Sequence, residues 1–326
     1  MSDDTAARGE RDAAVPARAG GVPVFARLAG SSALLATGAD AVDFLHGQLA
    51  NDVKGLGDGG TVRSLLLNHK GHAMAEAQVL RFDQHTLALV VDDGQGDWVR
   101  ETLERHIVFD EVELRSVDCQ VMTVQGDAAA VAVGALGGPP PAAGQWLGVG
   151  TEGQVYGAVR SAAGGFDLTF LGPDSAARAE EAAAVLAGAG AVAADETALD
   201  AARVAGLVPA AGREGGEGVL PQEAGLEGLV SFRKGCYLGQ EIMARIEARG
   251  SVRRGLVALE LSSEPPSREV TLDGRVVGRL GTVARLPDGA VGALAVLRKD
   301  VQDSTRLSVG PNATARVVKA ARMMPT

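Results

Sequence analysis

The chain has 326 residues, 46% of them hydrophobic, 22% charged and only 3% aromatic, with a formal net charge of −10. This is the composition of a globular protein of two or three domains with cores of Val, Leu and Ala. It argues against a general nucleic-acid binder, because phosphate affinity needs clustered cations, and no run of eighteen apolar residues offers a membrane span.

The charge is uneven. Ser251 to Thr326 holds 12 Lys+Arg against 7 Asp+Glu, a balance of +5, which leaves −15 for the rest. Residues 1–21 carry acids and no long apolar stretch, so they read as a disordered tail and not as a secretory or transit leader. Cys119 and Cys236 are too far apart for a disulfide framework or a CxxC site. A reducing cytoplasm is the expected location.

From Val22 to Leu35 the pattern alternates loosely and reads as one or two strands. Asp40 is a fair N-cap, and Ala41, Phe44, Leu45 and Leu49 recur at helical spacing as far as Asn51-Asp52. Val62 to Leu67 is a strand. Asn68-His69-Lys70-Gly71 is a hairpin turn, and Ala75 to Leu80 returns. Thr86 to Val91 reads as a strand, Asp97 to Ile107 as an amphipathic helix, and Glu111 to Arg115 and Gln120 to Val124 as strands. The stretch from Gly134 to Gly150 reads as a loop. Strands at Val155 to Val159 and Phe166 to Phe170 and a helix from Ser175 to Leu186 follow. Strand, strand, helix on both sides of that loop suggests two related lobes. Ala210 to Gly228 is a long, glycine-rich, acidic loop, long enough to suspect function. After Gly250, short Val-rich strands and DG turns point to a small all-β domain.

The stretch with chemistry is Ser231-Phe-Arg-Lys-Gly-Cys-Tyr-Leu-Gly-Gln-Glu. Cations and helix N-termini favour the thiolate, and Arg233 and Lys234 stand just before Cys236. A helix beginning near Gly239 is supported by Leu238, Ile242 and Ile246, by a Glu241–Arg245 pair and by Gly250 as a stop. Gly235 and Gly239 permit tight turns. The bare residues leave two readings open, a small buried cysteine or a working thiol. No histidine lies near in sequence to make a protease-like pair. His69 and His72 form an HxxH with Glu76 as the only near third ligand, too few for a metal site. Arg245, Arg249, Arg253 and Arg254 follow Arg233 and Lys234 as a basic run that could meet a polyanion.

KGCYLGQE followed by AR and by Gly250 to Arg254 resembles the signature of the YgfZ family of folate-binding proteins, relatives of the glycine-cleavage T-protein (GcvT). FLHGQLANDV, LLLNHKGH, ARVAGLVP, LPQEAGLEGLVSF, GRLGTV and ALAVLR are similar to further stretches of that family, from Val22 to about Val318. The resemblance implies an α+β fold, a GcvT/YgfZ-like three-lobed ring. Its ferredoxin-like lobes would span residues 22–250, with a C-terminal β-barrel over 251–326. It implies tetrahydrofolate or a derivative as cofactor, and a role in maturing or maintaining iron–sulfur enzymes that affects tRNA modification. Its partners would be iron–sulfur client proteins or assembly factors. Direct nucleic-acid binding and membrane association are not expected.

Cys236 and Lys234 are the working groups on this reading. Asn51, Asn68, Gln222, Gly235, Tyr237, Gly239, Gln240, Glu241 and Arg245 are the residues expected around the folate. No metal is expected. Two departures from the T-protein separate this chain from the alternative, a folate-dependent aminomethyltransferase. Ala75 and Glu76 stand where that protein has paired aspartates, and Ala205 stands where it has a pterin-binding glutamate.

Overall fold

The structure, a computed structural model, describes residues 22–137, 140–142, 144–148, 155–160, 165–302 and 307–320. The tail expected over 1–21, and part of the loop expected over 134–150, lie outside the described residues.

The chain opens with β1 (Val24–Arg27), β2 (Ser32–Thr37), α1 (Ala41–Gln48), β3 (Thr61–Leu67), β4 (Ala73–Arg81), β5 (Thr86–Val91), α2 (Gly96–Glu104) and β6 (Glu113–Val117). Five of these strands make an antiparallel sheet in the order β3-β4-β5-β2-β6. Strand β4 alternates buried and half-buried residues along most of its length, the period-2 pattern of a sheet with two unlike faces.

A second set follows: β7 (Cys119–Gln125), α3 (Ala129–Gly134), β8 (Leu147–Gly148), β9 (Val155–Arg160), β10 (Phe166–Leu171), α4 (Ser175–Gly188) and β11 (Val192–Ala193). Its sheet has the order β11-β1-β7-β10-β9-β8. Apart from β1, which inserts between β7 and β11, the wiring is that of the first sheet. Each set runs strand, helix, three strands, helix, strand, and the first strand lies beside the fourth. The two lobes suggested by the sequence thus share one topology.

Helices α1 and α2 cover one face of the first sheet through Phe44, Leu45, Val99 and Leu103. Helices α3 and α4 cover the second through Ala132, Val133, Ala179 and Leu186. The remaining faces meet each other through Ala33, Leu80, Val90, Val121 and Leu171. The two sheets therefore stack back to back with helices outside.

Helices α5 (Glu196–Gly206), α6 (Ala211–Glu214), α7 (Pro221–Ala224) and α8 (Gln240–Arg249) lead to the barrel. Two short helices, α6 and α7, thus stand inside the stretch read as one long loop. α5 was not anticipated as a helix, although Asp195 caps it by accepting the Ala198 N–H at 2.9 Å. The barrel is closed in the order β12-β15-β14-β13-β16-β17. Its strands are β12 (Arg254–Leu261), β13 (Glu269–Leu272), β14 (Arg275–Arg285), β15 (Val291–Arg298), β16 (Leu307–Val309) and β17 (Ala313–Ala320). Asp273 and Gly274, both at positive φ, make the two-residue turn between β13 and β14, the geometry that favours Asp-Gly in hairpins. Valine, leucine and alanine side chains fill the barrel.

One further core joins the first sheet, the connecting helices and the barrel. Leu65, Leu67 and Ala73 of the first sheet pack with Val204, Ala224, Tyr237 and Met243 and with Leu256, Leu294 and Val296 on the barrel wall. The buried carboxylate of Glu214 reinforces that junction. Oε1 accepts from the backbone N–H and the hydroxyl of Thr282, both at 2.7 Å. Oε2 accepts from Ala210 N at 2.7 Å and Arg203 at 3.1 Å. A buried charge so fully satisfied is expensive to break, about 3–5 kcal/mol when one partner is removed.

Candidate functional site around Cys236

Cys236 is exposed, on an irregular stretch between the short 3₁₀ turn at Glu227–Leu229 and α8. Its neighbours Lys234 and Tyr237 are buried, at 9% and 7% exposure. The loop is pinned at two points and lifts the thiol into solvent between them.

The first pin is Lys234. Its Nζ donates to the carbonyls of His46 and of Leu49, the latter at 2.6 Å. Both carbonyls lie at the C-terminal end of α1, one in its last turn and one at its C-cap, where helices leave acceptors unsatisfied and concentrate negative partial charge. The ammonium also lies 5.0 Å from the centre of the Tyr237 ring. Burial pulls Lys234 down to about 8, and Asp52 and Cys236 oppose the fall. It is still an ammonium at neutral pH. The residue expected to activate the thiol is thus also a strut between the cysteine loop and α1.

The second pin is Gly239, the N-cap of α8, at φ +83°. A Cβ there would come within 2.7 Å of the Asn68 carbonyl oxygen and 3.1 Å of Gly71 Cα. Gly71, at φ +74°, is closed in by Ile242 and Met243. Two left-handed glycines therefore mesh the LLLNHKGH turn with the start of α8, and no side chain fits between them. Gly250 ends α8 in the left-handed conformation, as expected.

Three expectations are corrected. Glu241 and Arg245 are both exposed and form no ion pair among the described residues, since water solvates each at low cost. No N–H of α8 bonds the Cys236 sulfur among the described residues. The Gln240 N–H goes to the Tyr237 carbonyl at 3.2 Å. The absence of a histidine near Cys236 holds in sequence only. A Cβ on Gly235 would lie 3.7 Å from His46 Nε2. The His46 Nδ1 accepts the Lys54 N–H at 3.2 Å and lies 3.3 Å from Asp52 Oδ1. Burial, then Lys234, lowers the His46 pKa, and Asp52 opposes. The signal for His46 lay in FLHGQLANDV, but only the docking of α1 against residues 234–235 gives it meaning.

The amides expected at the folate differ in what they have left to offer. Asn51 donates to the Arg63 carbonyl at 2.9 Å and accepts from Asp52 N, which ties it to β3. Asn68 accepts from Lys70 N and His72 N and so builds its own turn. His72 Nδ1 accepts the Gly218 N–H at 3.0 Å, which ties the turn to the loop. Gln222 keeps a buried Oε1 with no partner among the described residues, while its Nε2 lies 3.7 Å from Met243 Sδ. An orphaned buried acceptor is costly.

At the positions that differ from the T-protein, Ala75 is buried against the helices and Glu76 is ion-paired with Arg63. Ala205 is exposed and brings no carboxylate. Cys119, the other thiol, begins β7 in the layer between the sheets, where burial pushes it up to about 12.

Comparison with known proteins agrees with the fold and with the resemblance. Residues 30–139 match the family described as GCVT N-terminal domain. The tRNA-modifying protein YgfZ of Serratia proteamaculans is 34% identical over 107 residues, 30% of this chain and 32% of that protein. Its counterpart in Edwardsiella ictaluri is 40% identical over 107 residues, again 30% and 32%. The matched stretch spans about a third of the length of these relatives. Among solved structures, the glycine cleavage system aminomethyltransferase T of Bartonella henselae superposes with a TM-score of 0.76 at 18% identity, covering 91% of this chain and 85% of that one. The fold is GcvT-like, mixed α and β with a closed C-terminal barrel. No helix among the described residues is long and apolar enough to cross a membrane.

Proposed function

We propose that this GcvT-like chain, similar to YgfZ proteins, is a folate-binding accessory factor for the maturation or maintenance of iron–sulfur enzymes, acting through Cys236. The observation that carries the reading is the contrast within one loop: an exposed thiol between the buried side chains of Lys234 and Tyr237. A loop with no task for its cysteine has no reason to be braced at both sides and present it to solvent.

Tetrahydrofolate or a derivative is the ligand this fold suggests. Gln222 would hold the pterin edge through its unused acceptor, while Asn51 and Asn68 shape the backbone around it. The folate would supply one-carbon chemistry when bound. Two cysteines cannot hold a cluster by four-thiolate ligation, so any contact of Cys236 with a cluster is shared with a client. An effect on tRNA modification follows if a client is an iron–sulfur enzyme of that pathway. The alternative, an aminomethyltransferase, is disfavoured by the Glu76–Arg63 pair and by Ala205.

The test is aconitase-type activity in cells lacking this protein, complemented with wild type or with Cys236→Ser at matched levels. Restoration by wild type alone is the expected result. Restoration by both forms would leave the thiol without a role and overturn the reading.

A further inference from the structure

The barrel carries a cavity of about 360 Å³ where β14 faces α6 and the segment before α7. That volume lies at the lower end of the range for small-ligand sites. Strand β14 borders it irregularly. Its register slips against β13 between Val270 and Thr271, and against β15 between Leu280 and Val283. Residues three apart on a regular strand point to opposite faces. Across the first slip they share a face: Val277 and Leu280 both enter the barrel core, while Val276 and Arg279 both stand exposed at the cavity. Bulges of this kind re-aim side chains and are over-represented beside sites. Val276 is left 56% exposed, and Val219 and Val296 continue the apolar side of the cavity.

Most charges at this cavity already hold one another. Arg213 is paired with Asp93, Glu196 and Asp200, Arg254 with Glu223, and Arg298 with Asp300. Glu214 is held by Arg203 and Thr282. Two lining groups are left. Glu269 and Arg279 stand directly opposite each other on β13 and β14, where Cβ atoms are about 5 Å apart. Neither forms an ion pair or a side-chain hydrogen bond among the described residues. Exposed arginines without a carboxylate occur elsewhere, Arg275 among them. Arg279 differs in having an unpaired carboxylate directly opposite it at the rim of an apolar cavity. With the lining groups and all their partners counted together, five guanidinium groups face seven carboxylates. A bare anion therefore gains no net attraction, and a bare cation meets the guanidinium groups of Arg254, Arg279 and Arg298. A ligand with both charges on neighbouring atoms satisfies both unpaired groups.

We propose that this cavity binds an α-amino acid with an aliphatic side chain. Its carboxylate lies on Arg279, as guanidinium forks favour, its ammonium on Glu269, and its side chain covers Val219, Val276 and Val296. The site is independent of the folate reading and of Cys236.

The test is calorimetric titration of the intact protein with leucine, with isocaproate, which lacks the ammonium, and with isoamylamine, which lacks the carboxylate. Leucine is expected to bind. Each analogue is expected to bind at least about tenfold more weakly, the loss of one charge-assisted hydrogen bond. Glycine, without the side chain, is expected to lose at least about as much. Arg279→Gln and Glu269→Gln are each expected to weaken leucine at least about tenfold. Both positions are exposed, and circular dichroism checks that the variants keep the fold. Absence of saturable binding at about 10 mM leucine, where a millimolar site is mostly filled, overturns the inference. So does equal binding of leucine and the singly charged analogues by the wild type, a result that needs no variant, or undiminished leucine binding in both variants. Competitive displacement of leucine by tetrahydrofolate would assign the cavity to the folate and overturn it too.

Discussion

The two cysteines occupy surroundings made by opposite means. Cys119 opens a strand in the layer where two sheets stack back to back, and that packing pushes its thiol up to about 12. Cys236 sits on a loop whose neighbours are buried so that it is not. Burial around Cys119 comes from a repeating pattern of apolar strand residues. The exposure of Cys236 comes from individual contacts: a lysine on the end of α1, and a glycine pressed on a hairpin turn. A thiol half-buried beside a sheet rests on the general apolar pattern around it. A thiol held out by a braced loop depends on particular residues.

Alkylation contrasts the two most sharply. At pH 8 a pKa of about 12 leaves about one Cys119 in 10⁴ as thiolate, the reactive form. Iodoacetamide is expected to modify Cys236 at least about 100-fold faster, read by peptide mass spectrometry. Comparable rates at the two sites would mean that the sheets do not protect Cys119.

The braces themselves can be broken. Gly239→Ala puts a side chain at φ +83° against the Asn68 carbonyl and is expected to lower stability by about 1–3 kcal/mol. Gly235→Ala meets only His46 at 3.7 Å, an ordinary contact, and is expected to stay within about 0.5 kcal/mol of wild type. Urea unfolding of both variants tests this, and equal losses would refute the close-approach account.

Lys234 gives stability a pH dependence of its own. Its folded pKa, about 8, lies below the ordinary lysine value of 10.5. Between those values the unfolded chain binds more protons, so stability rises with pH. Relative to Lys234→Met, wild type is expected to gain stability from pH 8 to pH 10, by up to about 1.4 kcal/mol per pH unit. Parallel curves would show that the lysine is not shifted.

Much of this was legible in the residues. The helical spacing of Ala41, Phe44 and Leu45, the alternation in β4, the Asp-Gly turn in the barrel and the Gly250 stop are local signals, and each element formed close to where its pattern lay. The cysteine motif, too, is local. Lys234 lies 188 residues from the His46 carbonyl it holds, and Glu214 lies 68 from Thr282. The meshing of Gly71 with Gly239, the nearness of His46 to the thiol loop, and the insertion of β1 between β7 and β11 are likewise long-range. Periodicity and turn chemistry report which face a residue shows and where the chain bends, because those follow from the backbone within a few residues. Which faces meet is set by the packing of whole sheets and helices, and so only the tertiary structure decided that Lys234 braces the loop and that Cys236 stands in the open.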